Sequence, residues 1–458
     1  MRCLLINPWI HDFSALNLWS APLGLMRVAE YLSQFECEIF YINCLKTIKH
    51  KPYGTGKYNR QPIQKPLVLK QVPRKFCRYG ITSEEFQSRL KSAMPVDIIF
   101  ITSIMTYWYT GVAETVREVR KLAGDTPIII GGIYATLCPD HALKNTDADF
   151  IYKGSIETHS ERSPMTMIDN HSQGRSESNR LETAVEKFGV KLKKISDKKP
   201  YYKLGLSRFH REPVERQFAP LLTASGCIFS CTYCATSFLN KDFIRKTPYD
   251  ILKEIEELYK LGIRDFAFYD DALLTDSDNH LKPILKKVIQ KDLPVRFHAP
   301  NGIHVRFIDN ELAMLMKASN FKTLRLSLET ISPERQKLTG GKVRTDEFTN
   351  AVKALNKAGF TKKEIGVYLM YGLPGQSLNE VKDGVELLKY LNVHINLTEF
   401  SPIPNTKMWN ELMSKGIISK DIDLLLTNNS VYYYLYSGYD FKELEKLKLE
   451  VKAYNLLP

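Results

Sequence analysis

The sequence has no long hydrophobic run. Among its 458 residues, no stretch reaches the roughly 18 uninterrupted apolar residues that a transmembrane helix needs. The apolar run at the N-terminus stops at Pro8, which is too early for a signal peptide. The bias of disordered or fibrous chains is also absent, because 44% of the residues are hydrophobic and 25% are charged. We therefore expect a soluble, cytoplasmic protein of two or three domains with no membrane partner.

Cysteine is absent after residue 234. Of the eight cysteines, five are scattered through the first third and three fall close together as Cys227, Cys231 and Cys234. In a reducing cytosol, clustered thiols are more often metal ligands than disulfide partners. A four-thiolate zinc site would need another cysteine nearby. Three thiolates on one loop can instead bind three irons of a [4Fe–4S] cluster and leave the fourth iron open, which suits catalysis.

Acidic residues are absent from residues 45–83, where lysines and arginines alternate with aromatic residues. Two interpretations are open. The segment binds an anion, either the phosphate-bearing tail of a cofactor or RNA, or it is a solvated basic loop with aromatic anchors. The formal net charge of +13 suits an anionic substrate, a nucleotide or a nucleic acid without selecting one of them.

Strand and helix patterns alternate through residues 1–155. Short apolar runs predict strands at residues 4–7, 38–42, 97–103, 127–132 and 149–152, and helical periodicity follows at residues 23–32 and 112–122. Strands that are apolar on both faces indicate a doubly wound parallel, Rossmann-like sheet. We expect its ligand crevice at the carboxyl ends of the strands, near Asn7, Ser103, Gly131 and Gly132.

The remaining chain divides into three further segments. Residues 156–216 are polar and are expected to form an interdomain linker, with a helical stretch near residues 181–188. Six strand patterns with intervening helices then predict a partial (β/α)6 TIM-type barrel over residues 217–409, with its catalytic groups at the strand C-termini. Residues 410–458 are helical and aromatic, and are expected to form a C-terminal extension that packs as a cap.

The cysteine loop resembles that of the radical S-adenosylmethionine (SAM) superfamily. The resemblance implies that Cys227, Cys231 and Cys234 hold a [4Fe–4S] cluster whose unique iron binds the amino and carboxylate groups of SAM. Electron transfer from the reduced cluster would cleave SAM to methionine and a 5′-deoxyadenosyl radical. It further implies a reducing partner such as flavodoxin or ferredoxin, and it places Tyr233 and the turn at Gly372 against the adenine.

Further positions match the order of the same superfamily. Asp270 and Asp271 end the second barrel strand, where the family carries its acidic element for the SAM amino group; a carboxylate suits that compact cation. Ser327 and Glu329 end the fourth strand on one face, where the family often contacts the ribose and carboxylate. Arg325 shares this face and is a candidate ion-pair partner for Glu329.

The N-terminal region resembles the cobalamin-binding domain that is fused to many radical SAM enzymes. The segments around Asn7 and from Gly131 to Thr136 carry this resemblance, which implies cobalamin as a further cofactor. The D-x-H-x-x-G motif of domains that coordinate cobalt is absent. His11 and Asp12 stand in reverse order and are expected to be a surface pair. The resemblance thus implies cobalamin held without an axial histidine.

The leading interpretation is a radical SAM enzyme that starts radical chemistry on an unknown substrate, with cobalamin as the expected second cofactor. If methylcobalamin is present, the enzyme would transfer its methyl group to an unactivated carbon. Without cobalamin, the same barrel would carry out another radical rearrangement or oxidation, and the N-terminal sheet would be a docking module. One alternative is a tRNA methylthiotransferase, in which Cys3, Cys37 and Cys77 would hold a second cluster and the basic segment would bind RNA. We favour this alternative less than the leading interpretation, and we do not expect a nucleic-acid partner. Another is a non-catalytic sensor that binds SAM or a corrinoid.

Overall fold

A computed structural model describes residues 1–156, 168–169, 181–204 and 218–458. The chain divides into two compact units, Met1–Pro213 and Val214–Pro458. Within the described part of the chain, no helix is both long enough and apolar enough to cross a membrane.

The first unit contains twelve described strands and six described α-helices. Its strands are β1 (Arg2–Asn7), β2 (Ile10–Asp12), β3 (Leu16–Asn17), β4 (Glu38–Asn43), β5 (Thr47–His50), β6 (Gly56–Tyr58), β7 (Arg60–Pro62), β8 (Cys77–Tyr79), β9 (Ile98–Ser103), β10 (Ile128–Gly132), β11 (Phe150–Ile151) and β12 (Ile168–Asp169). Its helices are α1 (Leu23–Leu32), α2 (Ser83–Ala93), α3 (Tyr109–Ala123), α4 (Ile133–Leu137), α5 (Pro139–Thr146) and α6 (Leu181–Glu186).

The main sheet of the first unit has the order β12-β11-β10-β9-β1-β4, parallel except for β12. This confirms the Rossmann-like fold. The order reverses at β1, whose neighbours β4 and β9 lie on opposite sides. In open parallel sheets the crevice beyond the carboxyl ends at such a reversal is the usual ligand site. Asn7 and Ser103 end the two strands that flank this point.

Part of the segment expected to be a linker belongs to the core of the first unit. Leu181, Ala184 and Val185 of α6 are buried in the same apolar cluster as Phe150. Helical periodicity was visible there in the sequence, but its packing partners were not. Residues 157–167, 170–180 and 205–217 of the expected linker lie outside the described residues.

The basic segment folds into two small antiparallel sheets, with the orders β2-β8-β7 and β3-β6-β5. Their strands are two to four residues long, too short for periodicity to reveal them. Tyr58 and Tyr79 are buried, whereas Lys49 and Lys57 are exposed. The aromatic residues therefore anchor this segment and the lysines face solvent.

The second unit contains eight strands and ten α-helices within its described residues. Its strands are β13 (Phe218–Leu221), β14 (Ala224–Ser225), β15 (Ile244–Arg245), β16 (Asp265–Phe268), β17 (Arg296–Ile303), β18 (Phe321–Glu329), β19 (Ile365–Tyr371) and β20 (His394–Glu399). Its helices are α7 (Thr236–Leu239), α8 (Pro248–Lys260), α9 (Leu281–Gln290), α10 (Asn310–Ala318), α11 (Pro333–Leu338), α12 (Thr345–Lys357), α13 (Leu378–Tyr390), α14 (Lys407–Ser414), α15 (Asn429–Tyr436) and α16 (Phe441–Leu456).

Six of these strands form one parallel sheet in chain order, β13-β16-β17-β18-β19-β20. Helices such as α8 cover it: Thr247 caps the start of α8 by accepting from Asp250 N, and Ile251, Ile255 and Leu258 form its buried stripe. The order confirms the partial (β/α)6 barrel. Its active edge is the one at which the carboxyl ends of the strands meet.

The C-terminal helices cover the open edge of this sheet. Asn455 of α16 accepts from Ile395 N at 2.9 Å and donates to Ile395 O at 2.8 Å, and so pairs with the main chain of the edge strand β20. An unpaired edge invites association with other chains, and this contact satisfies part of it. The expected helical extension is confirmed, and it packs as a cap.

Candidate functional site

The cysteine loop follows β13 at the carboxyl edge of the partial (β/α)6 barrel, which is called the half barrel from here on. Gly226 opens it at a φ of +85°, and a Cβ there would lie 2.4 Å from the carbonyl oxygen of Asp242. Two main-chain contacts hold the loop from outside: Thr232 N donates to Thr339 O at 3.1 Å, and Met408 N donates to Thr232 O at 2.8 Å. The loop is therefore positioned by segments that follow the fourth and sixth strands of the half barrel.

The three loop thiols are partly buried and differ in their neighbours. Burial raises the pKa of Cys231 to about 11 and also raises the pKa of Cys227. Cys234 Sγ lies 3.2 Å from Thr236 Oγ1. Among the described residues, no three His, Cys, Asp or Glu side chains converge on one ion. Because each thiolate of a cubane site binds a different iron, its ligands need not converge in that way, and the donor set fits a cluster rather than a single zinc ion.

An aromatic layer that the sequence did not reveal lies beside Cys227. His304 Nε2 is 3.8 Å from Cys227 Sγ, and the imidazole stacks on Phe229 with ring centroids 4.1 Å apart. Burial lowers the pKa of His304 to about 3, so the ring is neutral. Arg306 covers Phe229, with its guanidinium carbon 5.5 Å from the ring centroid. His304, Phe229 and Arg306 cover one side of the cysteine loop against solvent, and none of them places a negative charge beside the thiols.

Lys342 is the cation of this site, and sequence reasoning missed it. Its Nζ donates to Ser327 Oγ at 3.0 Å and lies 3.6 Å from Glu329 Oε1. Its charge also opposes the rise in the pKa of Cys231. The glycine pair at residues 340–341, just before the lysine, was the available signal, since such a pair marks a sharp turn near the barrel mouth.

Ser327, Glu329 and Tyr233 come together around Lys342. Gly302 makes room for Ser327, because a Cβ at residue 302 would lie 2.0 Å from Ser327 Oγ. Glu329 is buried at a φ of +66°, where a break in register with β19 re-aims its side chain. Burial and the adjacent Glu329 carboxylate raise the pKa of Tyr233 well above its usual range.

The two consecutive aspartates have different surroundings. Asp270 is buried and accepts from Thr223 N at 3.1 Å, from Thr223 Oγ1 at 2.5 Å and from Ala224 N at 2.6 Å. Burial raises the pKa of Asp270 to about 6 despite these donors. Asp271 keeps solvent-exposed surface, and its charge acts on Cys227. Partial desolvation of the carboxyl raises the pKa of Asp271, and a side-chain hydrogen bond with Thr236 and the charge of Lys342 oppose this rise. The contacts make Asp270 a brace for the start of the cysteine loop and leave Asp271 available to a ligand.

Two other predicted contacts look different in the structure. Gly372 N donates to Tyr439 Oη at 3.1 Å, and a Cβ at residue 372 would lie 2.8 Å from the Cβ of Tyr433 in α15. Gly372 thus packs against the C-terminal helices, and its contact with adenine stays a prediction. Among the described residues, the carboxylate of Glu329 pairs with Lys342, and Arg325 forms no ion pair with it.

The predicted crevice residues of the first unit share one sheet edge. Asn7 Nδ2 donates to Asn43 Oδ1 at 2.7 Å, so both asparagines hold the ends of β1 and β4. Ser103 Oγ donates to Gly131 O at 2.8 Å. Gly132 has a φ of +101°, and a Cβ there would lie 2.2 Å from Ser103 O, whereas a Cβ on Gly131 would meet nothing closer than 3.8 Å. The edge is therefore closely packed at Gly132 and open at Gly131.

The expectation of a surface pair at His11 and Asp12 is wrong. Both side chains are buried. His11 Nε2 lies 2.6 Å from Glu114 Oε2, and Asp12 accepts from the indole of Trp108 at 2.5 Å. Both residues lie in β2, which pairs with β8 in the small β2-β8-β7 sheet that the sequence did not reveal.

Cys3, Cys37 and Cys77 do not form a three-thiol site. The sulfur atoms of Cys3 and Cys37 are 3.2 Å apart in the core of the main sheet. Cys77 lies in β8 and packs with Ile10 and Tyr79 in a different apolar cluster. This arrangement removes the structural basis for a second cluster on those residues.

Comparisons with known proteins agree with this site. Residues 221–388 match the model of the radical SAM superfamily. Cytidylyl-2-hydroxyethylphosphonate methyltransferase of Streptomyces wedmorensis is 21% identical over 472 residues, which cover 92% of this chain and 84% of that protein. An uncharacterised methyltransferase of Pyrococcus horikoshii is 21% identical over 341 residues and covers 70% of each chain. The solved structure of the radical SAM methyltransferase TsrM from Kitasatospora setae, with cobalamin and a [4Fe–4S] cluster bound, has a TM-score of 0.62 at 16% identity and covers 90% of this chain and 75% of its own.

Proposed function

We propose that this chain, which belongs to the radical SAM superfamily through its domain at residues 221–388, is a cobalamin-dependent radical SAM methyltransferase. The observation that carries the proposal is the C-x3-C-x2-C loop at the carboxyl edge of the half barrel, beside Ser327, Glu329 and Lys342. When bound, the cluster and SAM supply reducing power and a carbon radical, and cobalamin supplies a methyl group.

Residues of the second unit with different charges would bind different groups of the cluster and SAM. Cys227, Cys231 and Cys234 would hold the cluster. Asp271 is an exposed carboxylate suited to the SAM amino group, and Lys342 is a cation suited to the SAM carboxylate. Ser327 and Glu329 orient Lys342, while Asp270 holds the end of β13 in place.

The first unit fits a corrinoid by shape and by the groups at its edge. Met105 and Ile133 are exposed apolar side chains that follow β9 and β10 at the carboxyl edge, where Gly131 leaves open space. A broad, partly apolar ligand suits such a crevice. The two nearby histidines are already engaged, since His11 pairs with Glu114 and His141 Nδ1 with the hydroxyl of Tyr134 at 2.7 Å. The corrinoid would therefore bind without an axial histidine from this unit.

An acidic electron carrier such as flavodoxin or ferredoxin fits the surface near the cluster loop. A cavity of about 310 Å³ borders Cys231 and Cys234, and its wall includes Lys337 and Lys407. Basic side chains next to the thiols favour association with a negatively charged reductant.

The test is anaerobic reconstitution with iron, sulfide and hydroxocobalamin, applied to the wild type and to a variant in which all three loop cysteines are alanine. We expect about four irons per chain in the wild type, none in the variant, and equal corrinoid in both. Incubation with reductant and methyl-labelled SAM should then transfer the label to the corrinoid with release of unlabelled S-adenosylhomocysteine, and should form methionine and 5′-deoxyadenosine in the wild type alone. A cluster without corrinoid would refute the cobalamin part, and both cofactors without SAM turnover would favour a sensor.

A further inference from the structure

A second set of polar side chains lies inside the half barrel, on the same face as Ser327 and one row closer to the start of β18. Arg325 precedes Ser327 on the same face of β18 and is in register with Gly366 of β19. Gly366 is in register with His394 of β20, and Asn396 lies two residues further along that strand. The row of Arg325, Gly366 and His394 therefore combines a guanidinium and an imidazole with a glycine between them, and the amide of Asn396 belongs to the next row, which is that of Ser327.

The guanidinium of Arg325 has no counter-ion among the described residues. The hydrogen bond that the fold offers it runs from Nη1 to the main-chain oxygen of Leu324 at 3.2 Å. Burial lowers the pKa of Arg325, and its charge in turn helps to lower the pKa of His394. A guanidinium has five N–H donors, and a partly desolvated charge without a partner lowers the stability of the fold. Arg325 is therefore in an environment that favours an added anion.

Asn396 brings a second unused donor to the same place. Its Nδ2 is buried without a hydrogen-bond partner, as is Nδ1 of His394. A Cβ on Gly366 would lie 2.5 Å from Arg325 Nη1 and 2.6 Å from Asn396 Nδ2, so both donors pack directly over this glycine and lie close to each other. Buried polar atoms in native folds nearly always have partners, so the unpaired Nδ2 of Asn396 beside a guanidinium that has no counter-ion indicates that a ligand supplies the acceptor.

We propose that Arg325 and Asn396 bind an oxyanion, the carboxylate or phosphate group of the substrate, inside the half barrel. This inference rests on the proposed function, because it names the chemical class of that enzyme's substrate. Arginine binds such groups through paired parallel hydrogen bonds, and the asparagine amide adds a further donor.

The test is the melting temperature of the reconstituted enzyme with saturating S-adenosylhomocysteine, so that the carboxylate site for SAM is already filled. Inorganic phosphate and acetate are titrated in separate arms, with chloride keeping the ionic strength constant. The wild type should melt about 3–6 °C higher at tenfold excess over the dissociation constant, and the arm with the lower constant identifies the group. Arg325→Met should not respond.

Asn396→Asp is the decisive second variant, since it places a carboxylate beside Arg325 in the absence of any ligand. We expect it to melt higher than the wild type without added anion and to lose the response to phosphate or acetate. Lys322→Met, on the other face of β18, is the matched control and should respond as the wild type does. Iron content and circular dichroism verify that each variant is folded.

Three results would overturn the inference: no response of the wild type beyond that to chloride, an equal response of Arg325→Met, or a lower melting temperature of Asn396→Asp. The assay requires no methyl transfer. A failure of the proposed function would appear in the corrinoid content and SAM turnover of the same preparation, and so the two failures are distinguishable.

Discussion

The turn at residues 339–342 connects two parts of the candidate site, and Gly340 is its most constrained residue. Its φ is +113°, and a Cβ there would lie 3.0 Å from Cys231 Cα and 3.1 Å from Ser230 O. These neighbours are main-chain atoms, which cannot rotate out of the way. Backbone strain of this kind costs about 1–3 kcal/mol. Because of the two close contacts as well, we expect Gly340→Ala to lower the free energy of unfolding by about 2–5 kcal/mol. Displacement of the turn would relieve part of this strain.

Displacement would act on both cofactor groups at once. It would weaken the contact between Thr339 and the cysteine loop and move Lys342 away from Ser327. We therefore expect Gly340→Ala to retain less iron after anaerobic reconstitution and to bind SAM at least ~10-fold more weakly by equilibrium dialysis, since a charge-assisted hydrogen bond contributes about 1.5–3 kcal/mol.

Gly341→Ala is the matched control for this prediction. Its φ is +64°, and a Cβ there would meet nothing within 4 Å, so the cost is about 1–2 kcal/mol without displacement of the loop. Full iron content and unchanged SAM affinity in Gly340→Ala would refute the reasoning. Equal losses in the two variants would contradict it as well, because the close approach to Cys231 would then play no part.

Three further predictions concern single residues. Lys342→Met should weaken SAM binding by about tenfold to hundredfold, measured by calorimetry, with iron content unchanged. Lys337→Met, which changes an exposed lysine, should bind SAM as the wild type does. Equal SAM affinities of the two variants would remove Lys342 from the site. Because burial raises the pKa of Asp270 from 3.8 to about 6, its contribution to stability is present at low pH and lost as the pH rises through 6. The free energy of urea unfolding of the metal-free wild type, relative to that of Asp270→Asn, should therefore fall by about 2 kcal/mol between pH 4 and pH 6.5, and a constant difference between the two proteins would contradict this. Gly132→Ala should lower corrinoid content and thermal stability, because a Cβ at residue 132 would lie 2.2 Å from a main-chain oxygen. Gly131→Ala should keep the melting temperature of the wild type, because a Cβ at residue 131 would lie no closer than 3.8 Å to any atom. Equal melting temperatures of the two variants would count against the close packing at Gly132.

Residues whose significance lies in local pattern were predictable. The spacing of Cys227, Cys231 and Cys234 is a property of eight consecutive residues, and apolar runs marked the strands of both main sheets except β12. Residues whose significance lies in long-range contact were not. Lys342 reaches Ser327 across a turn that only the glycine pair at residues 340–341 marks in the sequence, and His304 reaches Cys227 from the end of another strand. Neither contact can be read from local pattern.

The aspartate pair shows the same division within two adjacent residues. Sequence placed both Asp270 and Asp271 at the end of the second barrel strand, but it could not separate them, because side chains alternate between faces only while the strand continues. The structure gives Asp270 three donors from the start of the cysteine loop and leaves Asp271 exposed. The expected surface pair His11–Asp12 is buried for a similar reason, since short strands from a distant segment cover it.

The amino-acid sequence by itself determined the two parallel α/β architectures, the three thiols and the resemblance to the radical SAM superfamily, because periodicity and short spacings are encoded within a few residues of each other. Tertiary structure alone decided which side chains share a site: the Lys342 contact with Ser327 and Glu329, the brace at Asp270, and the proximity of Arg325 to the unpaired Nδ2 of Asn396. The physical reason is that parallel strands joined by helices bring residues far apart in the chain to one edge, and only their final register fixes which charges meet.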